Sequence, residues 1–305
     1  LASAYSLLGE QESLNQLLER RTETAAGLAD MLSDLGSWRQ ALEFYNRAIG
    51  PESRDAKRLV RRSRTHRKLG QLELASADLQ RALAAETDPS GAFDELRMAE
   101  DWSSASAFGW RLLEEEPTES THWLKLAATL VKAGDREGHA KLCAHIVDQK
   151  SPTEDARDSG RATKICLLQP DAIDVARIPS ERFERELDQG AGTTSWRIWA
   201  WAARSLLAYR QGDLAAALQY SDNALTEGNM ANERQHALAL VVRALALIGL
   251  ERDGEAEADM AKAREILDNE LQSLNLRSMH DVYMPMILIE EAESLVAPRQ
   301  SRLRK

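Results

Sequence analysis

Residues 25–51 read AAGLADMLSDLGSWRQALEFYNRAIGP, and residues 57–83 read KRLVRRSRTHRKLGQLELASADLQRAL. The first stretch is marked by Leu28, Ala29, Leu32, Gly36, Trp38, Ala41, Tyr45, Ala48 and Pro51. The second is marked by Leu59, Ser63, His66, Gly70, Leu72, Ala75, Leu79 and Ala82. The small residues Ala41 and Ala75 stand 34 positions apart. This spacing predicts a helix, a tight turn at the glycine and a second helix, repeated. Small residues belong where two helices cross closely, and larger ones fill the gaps beside them. The turn glycine takes a left-handed conformation that ends the first helix. Each hairpin leaves one apolar face uncovered, so neighbours must stack.

The same marks return along the chain. A degenerate unit has Trp102, Ala105, Gly109, Leu112 and Pro117 in its second helix, while Pro89 and Gly91 shorten its first. Residues 121–149 match well, with Trp123, Leu126, Ala127, Leu130, Gly134, Cys143 and Ile146, and with His139 at the small position. SPTEDARDSG, residues 151–160, reads as a polar break. ATKICLLQ then reads as an apolar helix, IPSERFERELDQ as another entered through Pro179 and Ser180, and DQGAGTTS as a Gly-rich loop. The pattern resumes with Trp201, Gly212, Leu214, Ala217, Ser221 and Ala224, and again with Ala244, Leu247, Ala256, Met260 and Ala263. A last helix is expected from about His280 to Val296, with Tyr283, Met286, Ile287, Ile289 and Leu295 on its apolar side. Glu290, Glu291 and Glu293 mark its polar side.

This pattern resembles the tetratricopeptide repeat. The resemblance implies an all-α fold: a TPR-like α-solenoid, a right-handed superhelix of antiparallel helix hairpins with a C-terminal capping helix. The expected organisation is N-terminal repeats over 1–147, an irregular helical connector with one degenerate repeat over 148–195, C-terminal repeats and capping helix over 196–297, and a basic tail over 298–305. Gly9, Leu14 and Leu18 fit a turn and second helix, which places Leu1 inside a first helix and suggests upstream sequence.

Composition narrows the function. A 43% hydrophobic fraction supports a packed interior, and scarce β-branched residues favour helix. The formal net charge of −10 argues against nucleic-acid partners. No run approaches the roughly 18 apolar residues of a membrane span, and the N-terminus has no signal-peptide pattern. Cys143 and Cys166 are the only cysteines, expected reduced and buried, and the sum of these points predicts a cytoplasmic location.

The segment order also resembles the C-terminal tetratricopeptide region of planctomycete-type Ser/Thr protein kinases. Leu126–Gly138, Cys143, ATKICLLQPDAID, AYRQGDLAAAL and RALALIGLERDGEAEADMAKA carry this resemblance, which covers about residues 25–297. It implies an upstream kinase domain. The chain itself has no kinase, Walker, dinucleotide or Gly-x-Ser-x-Gly motif. It is therefore read as a non-enzyme with no cofactor and no metal. His139, Cys143 and His145 are close in sequence, but Cys143 falls on a core position and His145 points away from it, so packing is the better reading.

Two candidate surfaces follow from the repeat register. Lys57, Arg61, Arg64, Arg67 and Lys68 fall on the concave side of a first helix whose basic run contains no acid, which suggests a groove for an acidic peptide. Lys57 and Arg61, four apart, resemble the cation pair with which some tetratricopeptide domains hold a peptide carboxylate. Trp199, Leu206, Tyr209, Val242 and Leu245 form an apolar inner face, to be filled by a peptide or by the chain's own last helix, with the latter favoured. The expected role is a protein-protein interaction module, a scaffold or regulatory region of a larger signalling kinase, with a protein or acidic peptide as partner. The rival reading is a sensor or autoinhibitory domain of a transcriptional regulator.

Overall fold

A computed structural model describes residues 11–85, 89–227, 233–272 and 279–303, with side chains over 22–85, 89–227, 235–271 and 281–297. The turn expected at Gly9 and the first helix expected at Leu1 lie outside these residues, as do the side chains of Leu14 and Leu18. Among the described residues the fold is all-α, with sixteen α-helices, a 3-10 turn at Val175–Arg177 and no strand. The helices are α1 (Gln11–Asp34), α2 (Trp38–Ala48), α3 (Ala56–Lys68), α4 (Leu72–Ala84), α5 (Pro89–Met98) and α6 (Trp102–Glu115). They continue as α7 (Ser120–Lys132), α8 (Arg136–Val147), α9 (Ser151–Glu154), α10 (Ala156–Cys166) and α11 (Glu181–Asp188). The last five are α12 (Thr194–Arg210), α13 (Leu214–Thr226), α14 (Glu233–Gly249), α15 (Asp253–Gln272) and α16 (Met279–Leu303). The chain forms two compact units, 1–112 and 113–305. No described helix is long and apolar enough to cross a membrane.

One turn recurs in both units. Gly36, Gly70, Gly134 and Gly212 have φ between 72° and 83°, and Glu100 (φ 55°) and Glu251 (φ 60°) hold the equivalent place in two further hairpins. At Gly36 the glycine N–H donates to Ser33 O at 3.0 Å, and the following Ser37 N–H donates to Leu32 O at 2.8 Å. Glu251 repeats this through Ile248 O at 3.1 Å, and Arg252 through Leu247 O at 2.9 Å. These two bonds satisfy the last carbonyls of the first helix and turn the chain at once into the second. Asp135 and Asp213 then cap the second helices, accepting from Gly138 N at 2.8 Å and Ala216 N at 2.9 Å. The result is a TPR-like stack of hairpins in each unit.

The small positions pack as the pattern requires: Ala41, Ala82, Ala105, Ala217, Ala224, Ala256 and Ala263 are fully buried. Three large marks differ. Leu28 is 37%, Leu72 65% and Leu295 41% exposed, because each lies at the edge of a helix face whose neighbours already fill the crossing. Residues 151–160, expected as a polar break, form α9 and the first half of α10, started by Asp155 accepting from Asp158 N at 2.9 Å. The last helix runs to Leu303 rather than ending near Val296, so the basic segment 298–303 is helical.

Polar links across the hairpins share a register. Ser63 Oγ donates to Ala75 O and Ser205 Oγ to Ala217 O, both at 2.7 Å and both to the small-position carbonyl. One residue earlier in the first helix, Arg62 pairs with Asp78 through two bonds of 2.7 Å, and Arg204 lies 4.7 Å over the Tyr220 ring. Arg243 pairs with Asp259 at 2.7 and 2.6 Å in the same way. In all three the partner stands three residues beyond the small position.

The left-handed glutamate at turn 251 offers a direct test. An L-residue in this conformation costs about 1–2 kcal/mol, partly offset by the greater chain entropy of glycine. Glu251 is exposed. Glu251→Gly should therefore raise stability by about 0.5–1 kcal/mol, measured by thermal melting. A melting temperature equal to or below the parent's would refute the turn assignment.

Candidate functional site

Helix α3 places its basic side chains toward three sets of carboxylates within the first unit. Arg61 lies between Asp30 of α1 at 2.7 Å and Glu95 of α5 at 2.5 Å. Burial opposes its charge, yet the hydrogen bonds to Glu95 and Asp30 hold the guanidinium above its ordinary range. Tyr45 Oη donates to the same Asp30 at 2.7 Å. Lys57 Nζ lies 3.7 Å from Glu95, and Arg67 bonds Asp101 at 2.5 Å. Arg58, outside the candidate set, reaches Glu23 at 2.5 Å.

The run that carries no acid of its own is thus largely matched by acids 30 to 40 positions away. Arg61, Arg64, Arg67 and Lys68 nevertheless line one cleft of about 300 Å³ together with Glu95 and Asp101. Lys57 lies apart, on a shallower hollow with Asp30, Asp55 and Arg58. Arg64 has no hydrogen bond or ion pair to a described residue. Lys68 is exposed and sits 6.0 Å from the Trp38 ring, the outer limit for a cation–π contact. Arg64 and Lys68 are the cations of this cleft without an acidic partner among the described residues.

The apolar inner face of the second unit is mostly filled. Leu206, Val242 and Leu245 are fully buried, and α16 packs on α14, α15 and α7. Val282, Tyr283, Met284, Ile287, Leu288 and Ile289 of α16 are all at most 6% exposed. Around this apolar patch Glu291 accepts from Arg210, with Nη2 at 2.7 Å, and Glu290 meets Lys132 at 2.7 Å. Tyr209 is half-buried beside Arg210, and burial with the nearby Glu291 charge pushes its phenol up.

Trp199 has a different setting. It is half-buried, and Lys164 of α10 lies 4.2 Å over its ring. Lys164, with Arg157, Arg161, Trp196 and Asp281, lines a cavity of about 240 Å³ between α10 and α12. Lys164 is 6% exposed, and burial outweighs the opposite charge of Asp281 and, with Arg161 adding like charge, pulls its ammonium down to about 8. A desolvated cation–π contact is worth roughly 2 kcal/mol, less than the cost of an unpaired buried charge. None of these three cations stood out in the sequence. Their i, i+4, i+7 spacing was the available signal, hidden by taking residues 151–160 as a break.

Cys143 and Cys166 are free and buried. His139 Nε2 lies 3.0 Å from Ile165 O and 3.8 Å from Cys143 Sγ, and fills the small position of its hairpin. The Cys166 thiol, hydrogen-bonded to Cys143 and buried, is held well above its ordinary range. His145 is half-buried against Gln149 instead. Among the described residues no group of three or more His, Cys, Asp or Glu side chains is arranged to hold a metal.

No family model matches the chain. No curated protein matches it. Among solved structures it is similar to a tetratricopeptide repeat protein from Parabacteroides merdae ATCC 43184, at 14% identity and a TM-score of 0.45. That match covers 88% of this chain and 99% of the other.

Proposed function

We propose that the chain is a protein-interaction module, a scaffold or regulatory repeat region, that takes an acidic peptide segment in the α3–α5 cleft. The observation that supports this is the cleft's unequal charge: four cations face two carboxylates, and Arg64 and Lys68 meet neither. Arg61 and Arg67 hold the wall together through Asp30, Glu95 and Asp101, while Arg64 and Lys68 are left to meet a ligand. A kinase domain upstream, which the sequence resemblance implies, belongs to the same proposal and is tested by reading the coding sequence before Leu1.

The test is binding of a labelled poly-glutamate-rich peptide by fluorescence anisotropy. Affinity should fall steeply with salt, since charged contacts at the surface are screened within about 10 Å at 0.1 M. Arg64→Glu with Lys68→Glu should weaken binding at least tenfold without loss of helicity. Reversing Arg61 is the wrong variant, because it would also break two internal pairs. Equal affinity of parent and double variant would remove this cleft from consideration.

A further inference from the structure

Helix α10 carries Arg157, Arg161 and Lys164 one turn apart, so the three cations share one face. That face opens on the cavity of about 240 Å³ whose far wall holds Trp196 and Trp199 of α12. Asp281 of α16 is the carboxylate in its lining. Three cations and one acid line the cavity itself, while Asp158, outside the lining, stands near Arg161.

The pairing of these cations is poor in a way the α3 helix is not. No hydrogen bond or ion pair joins the Lys164 ammonium to a described residue, although the side chain is more than nine-tenths buried. The Trp199 ring lies against it, and Asp281 is the acid that acts on it as a charge. Arg157 is exposed and also has no acidic partner among the described residues. Arg161 donates to Ser120 Oγ at 2.5 Å, and Asp158 stands 3.9 Å away. Burial lowers its affinity for the proton, the Asp158 charge works against that, and Arg157 adds to the lowering. A buried ammonium without a hydrogen-bonded acid, set in a cavity, is a candidate binding group. Packing alone would favour an apolar residue at position 164.

We propose that this cavity binds a small oxyanion carried on a flat apolar ring, the head group on Arg157, Arg161 and Lys164 and the ring against Trp196 and Trp199. Arginines offer paired donors to a carboxylate or phosphoryl oxygen, and the buried ammonium supplies a point charge in a low-dielectric setting. The two indoles supply the flat apolar wall. The cavity is smaller than the roughly 300–1,000 Å³ of a drug-sized site, which limits the ligand to about one ring plus its head group. Asp281 keeps the anion on the α10 side. This site lies in the second unit and is independent of the α3–α5 cleft.

The experiment titrates benzoate and phenyl phosphate into the full chain by calorimetry, with benzamide and inorganic phosphate as controls. At least one ring anion should bind ten or more times tighter than either control, and the order of the two tells carboxylate from phosphoryl recognition. Lys164→Met should weaken that binding at least tenfold. Arg157→Gln, at an exposed position, should weaken it several-fold with an unchanged melting temperature, and so serves if the Lys164 variant misfolds. Benzamide binding as tightly as benzoate would overturn the proposal. So would inorganic phosphate matching phenyl phosphate, ring anions that fail to bind at all, or a folded Lys164→Met or Arg157→Gln protein that binds like the parent.

Discussion

A chain ending at Gln272 should aggregate, or melt far below the parent, because it lacks α16. Six of that helix's apolar side chains, from Val282 to Ile289, are at most 6% exposed. At about 1.5–3 kcal/mol each, their burial contributes on the order of 10 kcal/mol before ordering costs. That equals the whole net stability of an ordinary domain. The loss would also strip the cover from Val242 and Leu245 of α14 and leave Arg210 without Glu291. Size-exclusion chromatography and hydrogen exchange would show it, with α14 and α15 losing protection first. A soluble, monodisperse truncation with the parent's melting temperature would mean that α16 is an arm and not a cover.

Replacing Asp78 with alanine should destabilise the first unit by about 3–5 kcal/mol, since it leaves the Arg62 guanidinium buried without its acid. Arg62 and Asp78 side chains are 10% and 5% exposed, and both of their hydrogen bonds are 2.7 Å. Asn46 Oδ1 at 3.3 Å and Ile49 O at 3.4 Å remain near Arg62, which draws the expected loss toward the lower figure. Combining Arg62→Met with Asp78→Leu should restore most of it, because an apolar pair carries no desolvation cost. Urea unfolding of the parent and the two variants decides the matter. A double variant as unstable as Asp78→Ala would show that the loss comes from packing and not from charge.

The hairpins were legible because their turns demand glycine. Gly36, Gly70, Gly134 and Gly212 all have positive φ, and that requirement leaves a mark in any sequence. Glu100 and Glu251 adopt the same conformation without the mark, so their turns had to be inferred from neighbours. The buried alanines were legible for a similar reason, as a close crossing excludes larger side chains. Charge was harder. The basic residues of α3 look unneutralised because a linear run does not show Asp30, Glu95 or Asp101 arriving from other helices. In the second unit the error ran the other way. Trp199, placed on an apolar face with Leu206 and Val242, has a lysine over its ring. Arg157, Arg161 and Lys164 were overlooked because a Gly-containing polar stretch looks like loop until its partners are known.

The pairing of Lys132 with Glu290 joins residues 158 positions apart, and α7 with α16 thereby closes the second unit. Hairpins such as α12–α13 bring together only neighbours in the chain, so they can form as soon as they leave the ribosome. The α7 surface that α16 covers has no such early partner. At about 5–20 residues per second, synthesis of the intervening segment takes on the order of 10–30 s. During that interval the nascent chain carries finished hairpins with an open apolar seam, the period in which a chaperone would have its substrate.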